Sequence, residues 1–170
     1  MPVSDPAQDL ALLTEAARAA GLTALQFTTG RNRKWEKPDD LGPVTEADLA
    51  VNRLLEDKLR SARPDYGWLS EESEDGDARL SQSRVFIIDP IDGTRSFMAG
   101  ETTWAHSLAI AEAGEVVAAV VYLPMRDKLY YAGRAAGAFL NEAPITSTLR
   151  SELGGDHVLA ARPAFEPRHW

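Results

Sequence analysis

Val85-Phe86-Ile87-Ile88-Asp89-Pro90-Ile91-Asp92-Gly93-Thr94 is the stretch on which the reading of this chain turns. The run Val85 to Ile88 has the β-branched and aromatic character of a buried strand. It ends abruptly in two carboxylates, a proline, a glycine and a hydroxyl. Pro90 fixes its own φ and turns the chain, so that Asp89 and Asp92 can point into one space although they are three residues apart. Gly93 lets the backbone approach a ligand closely, and Thr94 to Met98 can open a short helix whose free N–H groups face an anion. The pattern predicts a metal site beside a phosphate site. The plainer alternative is an ordinary Asp-Gly turn preceded by a strand-end cap at Asp89.

Two further acidic passages lie upstream. Trp68-Leu69-Ser70-Glu71-Glu72-Ser73 again places carboxylates at the end of a short apolar segment. By itself it reads more simply as a solvated acidic loop continued by Glu74, Asp75 and Asp77. Pro43-Val44-Thr45-Glu46-Ala47-Asp48 opens a helix, and Thr45 with Asp48 three residues on resembles a capping box.

Around these passages the chain is organised as helices followed by strands. Ala7, Leu10, Ala11, Leu13, Ala17 and Ala20 recur at helical spacing, with Ser4 as N-cap and Gly21 as a stop, or with the helix continuing as far as Phe27. Thr28 to Gly42 is polar and without period, and reads as a mobile loop. Thr45 to Ala62 is a second amphipathic helix ended by Pro64. Short apolar runs then read as strands: Trp68-Leu69, Val85 to Ile88, Trp104 to Ala111, Val116 to Leu123, Leu129 to Ala132 and Val158 to Ala161. Hairpin turns are expected at Glu112 to Glu115 and at Pro124 to Lys128. The fold class is therefore α+β: an antiparallel sheet with two long N-terminal helices packed on one face, in one unit over residues 1–170.

Composition narrows the functional classes. With 44% hydrophobic and 26% charged residues, a chain of 170 residues can bury a real core. A formal net charge of -8 argues against a partner that is a nucleic-acid polymer, which needs clustered Lys and Arg. It does not argue against a small phosphate ester, because divalent ions between carboxylates and ligand would dominate the local charge. Cysteine is absent, which excludes thiolate catalysis and Cys-based zinc sites. Asp5, Asp9, Glu15 and Arg18 interrupt the Ala- and Leu-rich N-terminus, so no signal peptide or membrane span is expected and a cytoplasmic location is the default. His106, His157 and His169 have no nucleophile-elbow context, and there is no Walker loop.

Taken in order, Val-Thr-x-Ala-Asp, Ser-Glu-Glu-Ser and Asp-Pro-Ile-Asp-Gly-Thr resemble the signature of the lithium-sensitive inositol monophosphatase superfamily. That superfamily includes 3'(2'),5'-bisphosphate nucleotidases and fructose-1,6-bisphosphatases. A weaker likeness runs on to about Asn141 through Gly-Glu-Val-Val-Ala-Ala-Val-Val-Tyr-Leu-Pro and Gly-Ala-Phe-Leu-Asn, which are sheet strands in the family. The resemblance implies the N-terminal part of an αβαβα layered fold and a hydrolase with two or three Mg²⁺ ions. It implies Glu71, Asp89 and the Ile91 carbonyl as ligands of a first ion, and Asp89 and Asp92 as ligands of a second, with Asp89 bridging. Thr94 and Asp48, together with Glu71, would orient and deprotonate the attacking water. Asp92 and the backbone N–H groups of Gly93 and Thr94 would face the substrate phosphate. Lys37, and to a lesser degree Lys34, could approach the site from the mobile loop, but exposed lysines are usually only solvated, and both stay outside the catalytic set.

The chain departs from the family in lacking a later Trp-Asp-x-Ala-Ala type motif, so the family's C-terminal domain is expected to be absent from it. The implied substrate is inositol monophosphate or 3'-phosphoadenosine 5'-phosphate. Gly93-Thr94-Arg95-Ser96-Phe97 differs from the Gly-Thr-x-Asn-Phe of inositol monophosphatases and leans toward a nucleotidase or a broader, fructose-1,6-bisphosphatase-like sugar phosphatase. The alternative class is a non-catalytic metal-binding or regulatory domain. A homodimer is the family's usual assembly, and no membrane partner is implied.

Overall fold

Two helices lie across one face of a seven-stranded sheet in the computed structural model of the chain, which describes residues 6–29, 32–38 and 42–149. The helices are α1 (Pro6–Leu25) and α2 (Glu46–Ala62), with a short α3 (Thr94–Met98). The strands are β1 (Lys34–Glu36), β2 (Pro43–Thr45), β3 (Gly67–Ser70), β4 (Arg84–Asp92), β5 (Ala105–Glu112), β6 (Glu115–Leu123), β7 (Lys128–Gly133), β8 (Gly137–Leu140) and β9 (Ala143–Ile145). The large sheet runs β3-β4-β5-β6-β7-β8-β9 in that spatial order. The α+β expectation with two long helices on one face holds. One part of it is corrected: the sheet is not wholly antiparallel, because β3 and β4 pair in parallel.

The core is the seam between helices and sheet. Ala16, Ala17, Ala20 and Ala24 are fully buried and let α1 approach closely, while Val51, Leu55 and Leu59 of α2 meet Phe86 and Ile88 of β4. Gly21 does not stop α1, which runs through it to Leu25. A Cβ there would lie 2.7 Å from Tyr122 Cε1 and 3.1 Å from Pro124 Cγ, so the glycine serves close packing and not termination. The interior glycine costs about 1 kcal/mol of helix propensity, which the contact with the sheet offsets. On the opposite face of the sheet Ile87 and Val121 remain substantially exposed.

The loop expected over Thr28 to Gly42 contains β1, which pairs antiparallel with β2 so that Trp35 faces Val44. A three-residue strand is too short to show a period of its own, and its partner sits in the passage that reads as a helix start. The hairpin feeds directly into α2, with the Glu46 N–H donating to Arg33 O at 3.0 Å. The turns at Glu112 to Glu115 and Pro124 to Lys128 form as expected, with left-handed residues at Ala113, Gly114 and Asp127. The N-cap expected at Ser4 and the strand expected over Val158 to Ala161 lie outside the described residues.

At the end of β4 away from its two aspartates, α1, α2 and β4 are tied by charge. Asp9 is fully buried; it accepts from Arg63 Nε at 3.0 Å, from the Tyr66 hydroxyl at 2.9 Å and from Arg84 Nη1 at 2.7 Å. Arg84, also buried, reaches Glu112 with Nε at 2.9 Å. Removing one member of such a cluster leaves buried charge behind, which costs far more than the intact cluster contributes. Asp9→Ala is expected to lower unfolding free energy by about 3 kcal/mol, read as a shift in the midpoint of urea denaturation at constant slope.

Candidate active site

Parallel pairing sets Ser70 of β3 opposite Ile88 of β4, so both strands run out at the same edge of the sheet. The Glu71 N–H extends the ladder by one rung to Ile88 O at 3.1 Å, bringing Glu71 beside Asp89. On its other side β4 pairs Asp89 with Ser107 and Asp92 with Ala105, three steps against two: a β-bulge. In a regular strand residues three apart point to opposite faces. The extra residue cancels that alternation and turns Asp89 and Asp92 to the same side.

Proline is tolerated in the bulge because no ladder N–H is needed there. The freed Pro90 carbonyl accepts a hydrogen bond from Nδ1 of His106, a fully buried residue of β5. Burial pushes the His106 imidazole down to about 4, so the ring is neutral with its proton on Nδ1. In the sequence this histidine stands out only as a polar residue in an apolar run, and its structural task leaves no other signal. Gly93 follows with φ +88°, and a Cβ there would lie 3.3 Å from Thr103 O, so glycine is needed for both conformation and space. It places its own amide and that of Thr94 at the head of α3.

Asp89 is the electrostatic centre. Burial, then the charges of Glu71 and Asp92, raise its carboxyl to about 7. Its Oδ1 is buried with no hydrogen-bond partner among the described residues. Asp48, on the first turn of α2, is almost fully buried and divides its two oxygens between two tasks. Oδ2 accepts from the Thr45 N–H at 2.8 Å and the Thr45 hydroxyl at 2.6 Å, completing the capping box. Oδ1 accepts from the Thr94 hydroxyl at 3.3 Å. Both readings of Asp48, cap and site residue, therefore coexist. Burial raises its pKa, with the Thr45 hydrogen bonds working in the other direction.

Lys37, set aside as solvated, is instead a member of the site. Its Nζ donates to Glu71 Oε1 at 2.7 Å and contacts Glu72 Oε1 at 2.6 Å, and its side chain is only 11% exposed. Burial alone would lower the ammonium pKa; the bonds to Glu71 and Glu72 outweigh it and raise it. Lys34, on β1, has no such place in the site.

Glu71, Asp89 and Asp92 thus gather at one edge with Asp48 and Thr94 beside them. Among the described residues, no three His, Asp or Glu side chains stand close enough together to hold a metal ion by themselves. Lys37 holds one oxygen of Glu71. The donors available are all oxygens: the unpartnered Asp89 Oδ1, the Glu71 and Asp92 carboxylates, and the Ile91 carbonyl, which accepts from Thr94 at 3.1 Å and keeps a second lone pair. An all-oxygen set with an orphaned buried carboxylate oxygen fits a hard divalent cation.

Comparison with known proteins gives the family and the fold. Residues 5–164 match the model of the inositol monophosphatase family. Inositol-1-monophosphatase of Rhizobium meliloti (strain 1021) is 41% identical over 110 residues, covering 65% of this chain and 41% of that protein. Histidinol-phosphatase of Chlorobaculum parvum is 36% identical over 152 residues, covering 89% and 58%. The crystal structure of the extragenic suppressor protein SuhB from Bartonella henselae superposes with a TM-score of 0.77 at 32% identity, over 84% of this chain and 55% of that one. The chain spans only 41% to 58% of the lengths of such curated relatives.

The raised Asp89 carboxyl carries a stability consequence for the metal-free protein. Its folded-state pKa of about 7 stands above the ordinary 3.8, so its contribution is fully present below pH 3.8 and is lost as pH rises through 7. Asp89→Asn is therefore expected to raise the melting temperature of the metal-free protein at about pH 8 and to change it little at about pH 4. Thermal scans in chelator at the two pH values check this.

Proposed function

The chain belongs to the inositol monophosphatase family, and we propose that it supplies the metal-binding and water-activating part of a Mg²⁺-dependent phosphomonoesterase acting on a small phosphorylated metabolite. The observation that carries this reading is Asp89, a half-buried carboxylate whose Oδ1 is fully buried without a hydrogen-bond partner among the described residues, set between the charges of Glu71 and Asp92. A solvated acidic turn would not bury an oxygen of its central carboxylate without a partner.

Glu71, Asp89, Asp92 and the Ile91 carbonyl would hold two or three Mg²⁺ ions. When bound, Mg²⁺ supplies a hard Lewis acid that offsets phosphate charge and makes water more acidic. The remaining work falls to the chain's own groups. The single Thr94 hydroxyl hydrogen lies between Asp48 Oδ1 at 3.3 Å and the Ile91 carbonyl at 3.1 Å; donated to Asp48, it would leave the Thr94 oxygen lone pairs free to accept from a water and orient it. Asp48 is fixed for this by its other oxygen, held by Thr45. The Gly93 and Thr94 amides, at the head of α3 and next to Asp92 in the chain, would donate to phosphate oxygens. His106 anchors the bulge from behind through Pro90 and, being neutral, adds no charge to the site.

The names of the relatives point to inositol 1-phosphate and histidinol phosphate as substrates for test, and the Arg95-Ser96 pair keeps 3'-phosphoadenosine 5'-phosphate among them. Phosphate release with Mg²⁺ is measured on the chain itself and on a chimera continuing into the second half of the Rhizobium meliloti relative. Release is expected from at least one ester with the chimera; none from any ester with either protein would sink the reading. In the active form, Thr94→Ala is expected to lower kcat about 100-fold with little change in KM, and Asp89→Asn to abolish turnover while the circular dichroism spectrum is retained.

A further inference from the structure

We infer that Asn52 is a positioning residue for the metal-binding edge, holding the turn that presents Glu71; this rests on Glu71 being a metal ligand, as proposed above. Asn52 lies on α2 one helical turn after Asp48, and both are buried. Positions four apart share one helix face. Asp48 points from that face to Thr94, and Asn52 points from it into the turn that follows β3.

The Asn52 amide makes three hydrogen bonds to that turn, using both donors. Its Oδ1 accepts from the Ser70 hydroxyl at 2.7 Å, and its Nδ2 donates to Ser73 Oγ at 2.9 Å and to the Glu72 carbonyl at 3.3 Å. Each of these three neighbours is then bound again. Ser70 Oγ accepts from the Glu72 N–H at 3.3 Å, and Ser73 Oγ accepts from Trp68 Nε1 at 3.1 Å. The Ser73 N–H closes the turn on Ser70 O at 3.3 Å. The residues from 70 to 73 are thus clamped on both sides of Glu71, while the Glu71 side chain itself makes no bond to the clamp. A buried side chain that uses one acceptor and two donors on a single turn, next to the carboxylate that turn presents, constrains where that carboxylate stands. The helix rise between residues 48 and 52 then fixes the separation of the Asp48–Thr94 pair from Glu71.

Two measurements on the metal-free and Mn²⁺-loaded chain test this. Asn52→Leu keeps the volume and removes the amide; it is expected to weaken Mn²⁺ binding about tenfold or more by calorimetry. It should also speed hydrogen exchange at the amides of Glu71, Glu72 and Ser73 without metal. Leu59→Ala, further along α2, is the control for general destabilisation: it should lower the melting temperature and leave Mn²⁺ affinity unchanged. Should Asn52→Leu fail to fold, Ser73→Ala removes one clamp bond and is expected to weaken Mn²⁺ several-fold and to shift Trp68 fluorescence. Unchanged affinity and unchanged exchange in a folded Asn52→Leu, or unchanged affinity in Ser73→Ala, would overturn the inference. If wild type binds no Mn²⁺, or Glu71→Gln binds it as wild type does, the metal-ligand reading fails instead, and the exchange data still decide whether Asn52 holds the turn.

Discussion

The parallel pairing of β3 with β4 is the constraint from which the site follows. In an otherwise antiparallel sheet, neighbouring strands end at opposite edges, and carboxylates at their C-terminal ends would be separated by the length of a strand. Here both strands run the same way, so Glu71 and Asp89 emerge side by side. A parallel neighbour needs a crossover, and residues 71–83 supply it, including a short 3-10 turn at Asp77–Ser81. The residues nearest the start of that crossover are the ones fixed by Asn52.

Concentrating acids at one edge works against folding, and the structure meets this in several ways. Lys37 brings a counter-charge from the β1–β2 hairpin to Glu71 and Glu72. Asp48 is satisfied by a cap it would make in any helix of this kind. Asp89 meets no counter-charge: Glu71 and Asp92 beside it are acids, its Oδ1 is buried without a hydrogen-bond partner among the described residues, and its carboxyl is raised to about 7. At the other end of β4, Asp9, Arg63, Tyr66, Arg84 and Glu112 form a cluster in which opposite charges are matched. The same strand therefore joins a satisfied end to an unsatisfied one, the common division between scaffold and site.

Much of this was legible in the sequence, for definable reasons. Long periodic segments gave α2 and the strands from β4 to β7, because one-sided burial imposes a visible period. The motif residues Asp48, Glu71, Asp89, Asp92 and Thr94 do come to one edge, as their resemblance to the family implied. What escaped depends on partners distant in sequence. Gly21 looks like a stop because its reason lies in Tyr122 and Pro124. Lys37 looks solvated because Glu71 and Glu72 lie 34 residues and more away. The direction of β3 is invisible in a four-residue strand, since alternation is the same whichever way the neighbour runs.

The bulge between Asp89 and Asp92 has a further meaning for how such a protein changes over generations. The side of the sheet on which a residue emerges is a matter of odd and even counting, and this strand changes count once, at Pro90-Ile91. Loss of one codon there would restore regular pairing with β5 and leave the hydrophobic alternation before it untouched. The two aspartates would then stand two apart, on a smooth strand and without the turn that Gly93 continues. By the same counting they would still share a side, so what the extra residue adds is the wider spacing between them and the carbonyl of Pro90 that His106 holds.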